Sequence, residues 1–320
     1  MAVNVADGNL KWQFPAGDKA ALTALYGTPA VVDNVLYIGA FDHKFYVIDI
    51  ATGQLKWANS FEAGAPIVSS PVVDGGVVYF GANDNKVYAL DAATGVKKWE
   101  PFVTGGEVWA DPTLANGTLY VASLDHKLYA LDPATGKLKW GKPFDTNGLI
   151  VTKPAVDNGV VYVAGLSKLF AIDAATGAQN WTYDDATNWV WTNPTIANGV
   201  IYFASLDGNV YALDVQTHQL KWNAPFKAGD AVRTAIAVDN GVLYFGSDDF
   251  KVYAIDAATA QVKWTHPTSG RVLASPMIAN GVVYIQSFDH LLYALDAATG
   301  QSKWAVDVTK FATPTPAAAK

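Results

Sequence analysis

The chain has 320 residues, 51% hydrophobic and 16% charged, and contains no cysteine. That composition supplies a large core and excludes disulfides, thiolate metal sites and cysteine nucleophiles. A net charge of −7 argues against nucleic acid or an anionic membrane as partner, and no apolar run approaches the roughly 20 residues that span a bilayer.

The opening residues, Met1-Ala2-Val3-Asn4, align with Tyr88-Ala89-Leu90-Asp91 further on, so the chain begins in the middle of a repeat. It reads as a processed or excised segment, with any export signal lying outside it. From there one pattern recurs. Tryptophan returns every 40 to 45 residues, at Trp12, Trp57, Trp99, Trp140, Trp181, Trp222, Trp264 and Trp304. A period of that length with four strand-like runs predicts propeller blades and not a helical solenoid.

Each repeat opens with a short strand at a proline: Pro29, Pro71, Pro112, Pro154, Pro194 and Pro276, with Ala235 in that place in the sixth. Proline lacks an N–H and suits the unpaired edge that lines a channel. A turn follows, such as Asn116-Gly117, Asn198-Gly199 or Asn280-Gly281, the strongest short hairpin signal. The second strand is apolar on both faces and centred on Tyr37, Tyr79, Tyr120, Tyr162, Tyr202, Tyr244 or Tyr284. A polar turn (Asp42-His43, Asp84-Asn85, Asp125-His126) leads to the third strand, which ends in Ala-x-Asp before a tight loop and the Trp strand. In that loop the Asp accepts hydrogen bonds from backbone N–H groups and the Gly takes positive φ, with His218 and Ala260 as exceptions. A lysine precedes most of these tryptophans and protects the outer strand from edge-to-edge pairing.

The pattern Ala-x-Asp-x-x-x-Gly-x-x-x-Trp resembles the tryptophan-docking motif of the quinoprotein (PQQ-type) β-propeller family, and it covers nearly the whole chain. The resemblance implies an all-β propeller of four-stranded antiparallel blades, with each indole wedged between neighbours as a structural element. Eight motifs favour eight blades, the eighth incomplete and closed by both termini. The alternative is seven blades plus an extra N-terminal strand. Residues 1–308 form one propeller domain, and residues 309–320 are a Thr/Pro/Ala-rich tail or, over Ala312 to Ala319, the last inner strand.

Chemistry is sought in the segments that cross from each Trp to the next inner strand, because they share a face with the turns between second and third strands. The position before each proline reads Thr28, Ser70, Asp111, Lys153, Asn193, Thr234 and Ser275. Charged and aromatic residues gather in particular repeats. The expected site is a polar funnel with aromatic walls formed by Glu107, Trp109, Asp111, Lys153, Trp189, Trp191, Asn193, Arg233 and Arg271. The competing reading has Trp109 and Trp191 filling inter-blade space where other repeats place Val68, Val151 or Val232, and the charges paired across the channel. His43, His126 and His290 occupy equivalent turns, too far apart around a ring to share a metal, and no metal site is expected.

No catalytic residue set emerges. The resemblance offers two branches: dehydrogenases that hold the quinone PQQ near Ca²⁺ beneath long insertions and a vicinal cysteine pair, and a non-catalytic BamB-like branch. This chain lacks the cysteines and the insertions. The expectation is therefore a BamB-like, extracytoplasmic scaffold or binding module with a protein partner and no cofactor. A PQQ-dependent remnant, or a surface sensor or carbohydrate-binding propeller with a small ligand in the funnel, is the alternative.

Overall fold

The computed structural model describes residues 1–15 and 24–311. Within them lie seven four-stranded antiparallel sheets, over residues 30–62, 72–103, 113–145, 155–183, 195–227, 237–267 and 277–307, each with its strands in sequence order. The inner strands lie side by side from the first sheet round to the seventh, which makes each sheet a blade. Hairpin turns follow the sequence: Asn116 and Gly117 take φ of 49° and 67°, the paired positive values of a type I′ turn. Because most blades are covered on both faces, their middle strands are largely buried, and throughout in Thr118–Ala122 and Val200–Ala204. The core is a set of layers between blades, such as Tyr120, Leu128, Ala130 and Trp140 of the third against Val161, Val163 and Phe170 of the fourth.

The joints between blades are built from the repeated tryptophan. Trp57 Nε1 donates to Ala92 O (3.1 Å), Trp99 to Pro133 O (3.1 Å), Trp140 to Ala174 O (3.0 Å), Trp222 to Ala257 O (3.1 Å) and Trp264 to Ala297 O (2.9 Å). Each carbonyl belongs to the loop of the following blade. The glycine of that loop lies under the same indole: a Cβ on Gly136 would stand 2.7 Å from the Trp99 ring. The loop itself is tied by its aspartate, Asp91 Oδ1 accepting from Ala93 N, Thr94 N and Thr94 Oγ1 at 2.9–3.1 Å. The second-strand tyrosines, expected as plain core, reach the same carbonyls. Tyr79 Oη donates to Pro133 O, Tyr120 to Ala174 O and Tyr244 to Ala297 O, at 3.1–3.3 Å.

Three sequence expectations need correction. The complete blades number seven and not eight among the described residues. The eighth motif belongs to a two-stranded sheet, β1 (Ala2–Val3) with β2 (Leu10–Trp12). Trp304 Nε1 donates to Val5 O at 3.0 Å, and Trp12 Nε1 to Ile50 O at 2.7 Å, so this sheet is wedged between the seventh blade and the first. Counting motifs overcounted blades because a motif needs only the two outer strands. The inner strand expected over Ala312 to Ala319 lies outside the described residues. Secondly, the Trp strand is split in four blades. Trp57, Trp99, Trp140 and Trp222 precede a separate two-residue strand, and Pro101, Pro143 and Pro225, which lack an N–H, stand in three of the breaks. Thirdly, the sixth repeat is displaced by one residue: the inner strand is Ala237–Asp239, so Ile236 takes the proline position and Ala235 the one before it.

His218 and Ala260 take the positive φ of the glycines they replace, 61° and 60°. His218 gains a contact in exchange, stacking on Trp181 with ring centroids 4.4 Å apart. Ala260 gains only the packing of one methyl against the layer around Trp222. Ala260→Gly is therefore expected to raise stability by about 0.5–1 kcal/mol, the usual size of a left-handed backbone penalty net of glycine's chain entropy. Urea denaturation checks this, and an unchanged or lower midpoint would mean that the methyl packing outweighs the strain.

Candidate functional site

Each crossing segment is bonded to the end of the second strand of the blade it enters. Leu124 N donates to Glu107 O (2.9 Å), Leu206 N to Trp189 O (2.9 Å), Asp248 N to Ala231 O (2.9 Å) and Phe288 N to Arg271 O (2.8 Å). Crossings and second-to-third-strand turns thus share one face, around one mouth of the channel. Aspartates of those turns fix the crossings in place. Asp84 Oδ2 accepts from Gly64 N at 2.9 Å, and Asp249 Oδ2 from Gly229 N at 3.1 Å and Tyr253 Oη at 2.5 Å. Burial first, then the bond to Asp249, pushes Tyr253 up to about 12, so its hydroxyl keeps its proton and stays a donor. The turn histidines His43, His126 and His290 supply the positive φ at these corners, between 70° and 73°.

The residue before the proline position of the inner strand forms a girdle in which one blade's side chain accepts the previous blade's N–H. Thr28 N donates to Ser70 Oγ (2.8 Å), Ser70 N to Asp111 Oδ1 (2.6 Å), Lys153 N to Asn193 Oδ1 (2.7 Å) and Ala235 N to Ser275 Oγ (2.9 Å). Asp111 and Asn193 therefore have a structural use. Lys153 is exposed, and the girdle uses its backbone.

Two residues before the girdle, the side chains turn to the mouth. A cavity of about 290 Å³ opens there, lined by Tyr26, Phe41, Val68, Asn83, Trp109, Val151 and Trp191. Trp109 is 42% exposed, and its Nε1 donates to Glu107 Oε2 at 2.5 Å. Trp189, also 42% exposed, lies parallel to Trp191 with centroids 6.3 Å apart. Arg233 stands 6.0 Å over the Trp191 ring, with Nε 3.0 Å from Asp248 Oδ2. Inter-blade space is filled not by Trp109 and Trp191 but by the preceding Val108 and Val190, both buried, as Ile67, Ile150 and Val232 are elsewhere.

The structure thus brings Trp109 and Trp191 together at one cavity with Trp189 and Arg233 beside them and Glu107 on the Trp109 nitrogen. It puts Asp111, Lys153 and Asn193 in the girdle and leaves Arg271 exposed on another blade. The wall is aromatic and apolar more than polar. Sequence reasoning missed Tyr26, Phe41, Asn83, Asp248 and the exposed Phe288. The available signal was a Phe immediately before the turn aspartate, in Phe41-Asp42 and Phe288-Asp289, where a core residue has no reason to be.

The quinone and Ca²⁺ that the dehydrogenase branch implies do not fit these residues. The cavity lining carries no charged side chain to meet a carboxylated quinone, and no group of three or more His, Asp or Glu suited to a metal ion occurs among the described residues. No described helix is long and apolar enough to cross a membrane.

Comparison with known proteins follows the fold. The family described as outer membrane protein assembly factor BamB matches residues 1–111, 103–236 and 227–319. A search of curated protein sequences finds no match. Among solved structures, the computationally designed Ika8 protein is 18% identical with a TM-score of 0.77, over 90% of this chain and 88% of its own. BamB from Moraxella catarrhalis is 18% identical with a TM-score of 0.74, over 90% and 89%. The quinohemoprotein alcohol dehydrogenase ADHIIG from Pseudomonas putida HK5 is 17% identical with a TM-score of 0.76, over 90% of this chain and 67% of its own.

The girdle makes a pH prediction. Burial holds the Asp111 carboxyl above its ordinary value of 3.8, against the lowering pull of Ser70 and Lys153. A carboxyl whose folded value is raised contributes stability that is present below the unfolded value and lost as pH rises through the folded one. Asparagine accepts the same N–H without a charge, as Asn193 does from Lys153. Asp111→Asn is expected to raise the urea midpoint at neutral pH, and the gain should vanish as the pH is lowered to about 3.8. A lower midpoint at neutral pH would show that the carboxylate's hydrogen bonds outweigh its desolvation.

Proposed function

We propose, for a chain that belongs to the BamB family of PQQ-type propellers, a non-catalytic role: an extracytoplasmic scaffold that presents its aromatic mouth to a protein partner. The observation that carries this reading is where the exposed aromatic residues fall. Tyr26, Phe41, Trp109, Trp189, Phe250 and Phe288 are each 42% exposed or more, and all six lie on crossing segments or second-to-third-strand turns. Scattered exposed apolar residues are normal, but a collar of them around one opening marks an interaction site. Aromatic side chains give such a surface large contact area at small entropic cost.

Support for a protein as the partner comes from the family, whose description is that of an assembly factor. Support for a non-catalytic role comes from the uncharged lining and from the engagement of the nearest ionisable groups. Glu107 holds an indole, Asp111 a backbone N–H, and Arg233 an aspartate. General acid–base work needs a group free to exchange its proton with a substrate.

The test places a photoreactive residue at Trp189 or at Phe288, and in a control at Val96 of a docking loop, and irradiates the protein in an envelope extract. A discrete adduct from the two mouth positions and none from Val96 is expected. Adducts from Val96 alone, or turnover of alcohols when PQQ and Ca²⁺ are added, would overturn the reading.

A further inference from the structure

We infer that the partner enters the channel mouth with a neutral aromatic side chain, an indole or phenol carried on a loop or chain end, seated in the cavity between Trp109, Trp191 and the Tyr26–Phe41 pair. This rests on the protein-partner reading above and specifies what the partner must present. The lining decides the chemistry. Of seven lining residues none is charged, four are aromatic and two are valine. Two of the polar groups nearby are already engaged: the Trp109 N–H by Glu107, and the Arg233 Nε by Asp248. What remains for an occupant is π-faces, aliphatic wall, and three polar groups of the lining: the Trp191 N–H, the Tyr26 hydroxyl and one amide.

That amide is Asn83. Its Oδ1 is buried with no hydrogen-bond partner among the described residues, although Asn83 lines the cavity. A half-turn of the amide exchanges its oxygen and nitrogen, so the cavity can be offered either a donor or an acceptor. An occupant therefore has only a few polar bonds to make. A phosphate or carboxylate would be desolvated with no cation in the lining, and a saccharide would bury more hydroxyls than these few groups can meet. A bare alkyl chain would fill the walls and leave the amide unmet. An indole or phenol presents an apolar ring and a single polar hydrogen, which matches the inventory.

Size and geometry agree. The volume, about 290 Å³, lies at the small end of ligand sites, which run from ~300 to 1000 Å³, and suits one ring system more than an extended molecule. Tyr26 and Phe41 have centroids 5.8 Å apart, and Trp189 and Trp191 are parallel within 9°, so aromatic planes stand on both sides of the opening. A ring entering between them meets the offset-stacked or edge-on contacts that aromatic groups prefer.

The experiment uses the full chain and N-acetyl-tryptophanamide as probe, with the indole N–H resonances read by NMR. Saturable shifts are expected at Trp109, Trp189 and Trp191, with the seven docking indoles whose N–H groups are bonded to carbonyls unmoved. Trp191→Ser should weaken binding at least tenfold. So should Val151→Phe, which fills the cavity from the neighbouring crossing and serves if the first variant folds poorly. N-acetyl-argininamide, N-acetyl-glutamamide and cellobiose should leave the same resonances in place. Tighter binding of cellobiose, equal response to the charged probes, or no response to the indole would each overturn the assignment. If the probe fails while mouth-specific adducts persist, the partner reading stands and the aromatic anchor falls. If the probe binds and no adduct forms, the reverse holds.

Discussion

Pro133, Ala174 and Ala297 each offer one backbone carbonyl to two donors from the preceding blade, an indole N–H and a tyrosine hydroxyl. A carbonyl has two lone pairs, and a buried one left unpaired costs roughly 1–3 kcal/mol. The loop that carries it must therefore stop where both donors can reach it. The spacing between blades is set by that requirement together with the glycine that lets the indole approach. Since the loop is shaped by its own aspartate and needs no help from the rest of the blade, the same joint can be repeated around the ring and can also seat a two-stranded piece. This is why β1 and β2, without inner strands among the described residues, occupy a place between the seventh blade and the first.

A ring held by joints near its outer strands frees the other end of the channel. There the crossing segments are pinned by turn aspartates and by girdle hydrogen bonds that use backbone N–H groups. The side chains two positions earlier have no structural demand on them and vary from valine to tryptophan to arginine. The division is seen within single segments: Val108 and Val190 are buried in the inter-blade layer while Trp109 and Trp191, the next residues, face the opening. Alternation along an extended chain sends neighbours to opposite sides, so one segment serves both packing and recognition.

The docking joint was legible in the sequence because it is local and repeated: Asp, Gly and Trp sit within eleven residues, and each copy checks the others. The ring size was not, since a motif confined to outer strands does not report inner ones. At the mouth, Trp109 and Trp191 showed themselves as departures from the valines of other repeats, Val68 and Val151. Tyr26 escaped because the first crossing, from Trp12 to Pro29, is longer than the rest and breaks the alignment. Arg233 looked free because its partner, Asp248, lies fifteen residues away at the end of another strand. The missing proline in the sixth repeat hid a one-residue slip that the inner strand Ala237–Asp239 corrects.

The account divides the tryptophans into those that hold the ring together and those that face a partner, and a comparison of their alanine variants addresses that division. Trp140, buried and bonded to Ala174 O, should cost roughly 3–5 kcal/mol when changed to alanine, the range for deleting a large buried aromatic. Trp109 and Trp189, changed together, should shift stability by no more than about 1 kcal/mol, as surface substitutions do. Urea denaturation of the two variants beside the parent decides it. Comparable losses in both would contradict the account, because the mouth tryptophans would then be part of what holds the ring.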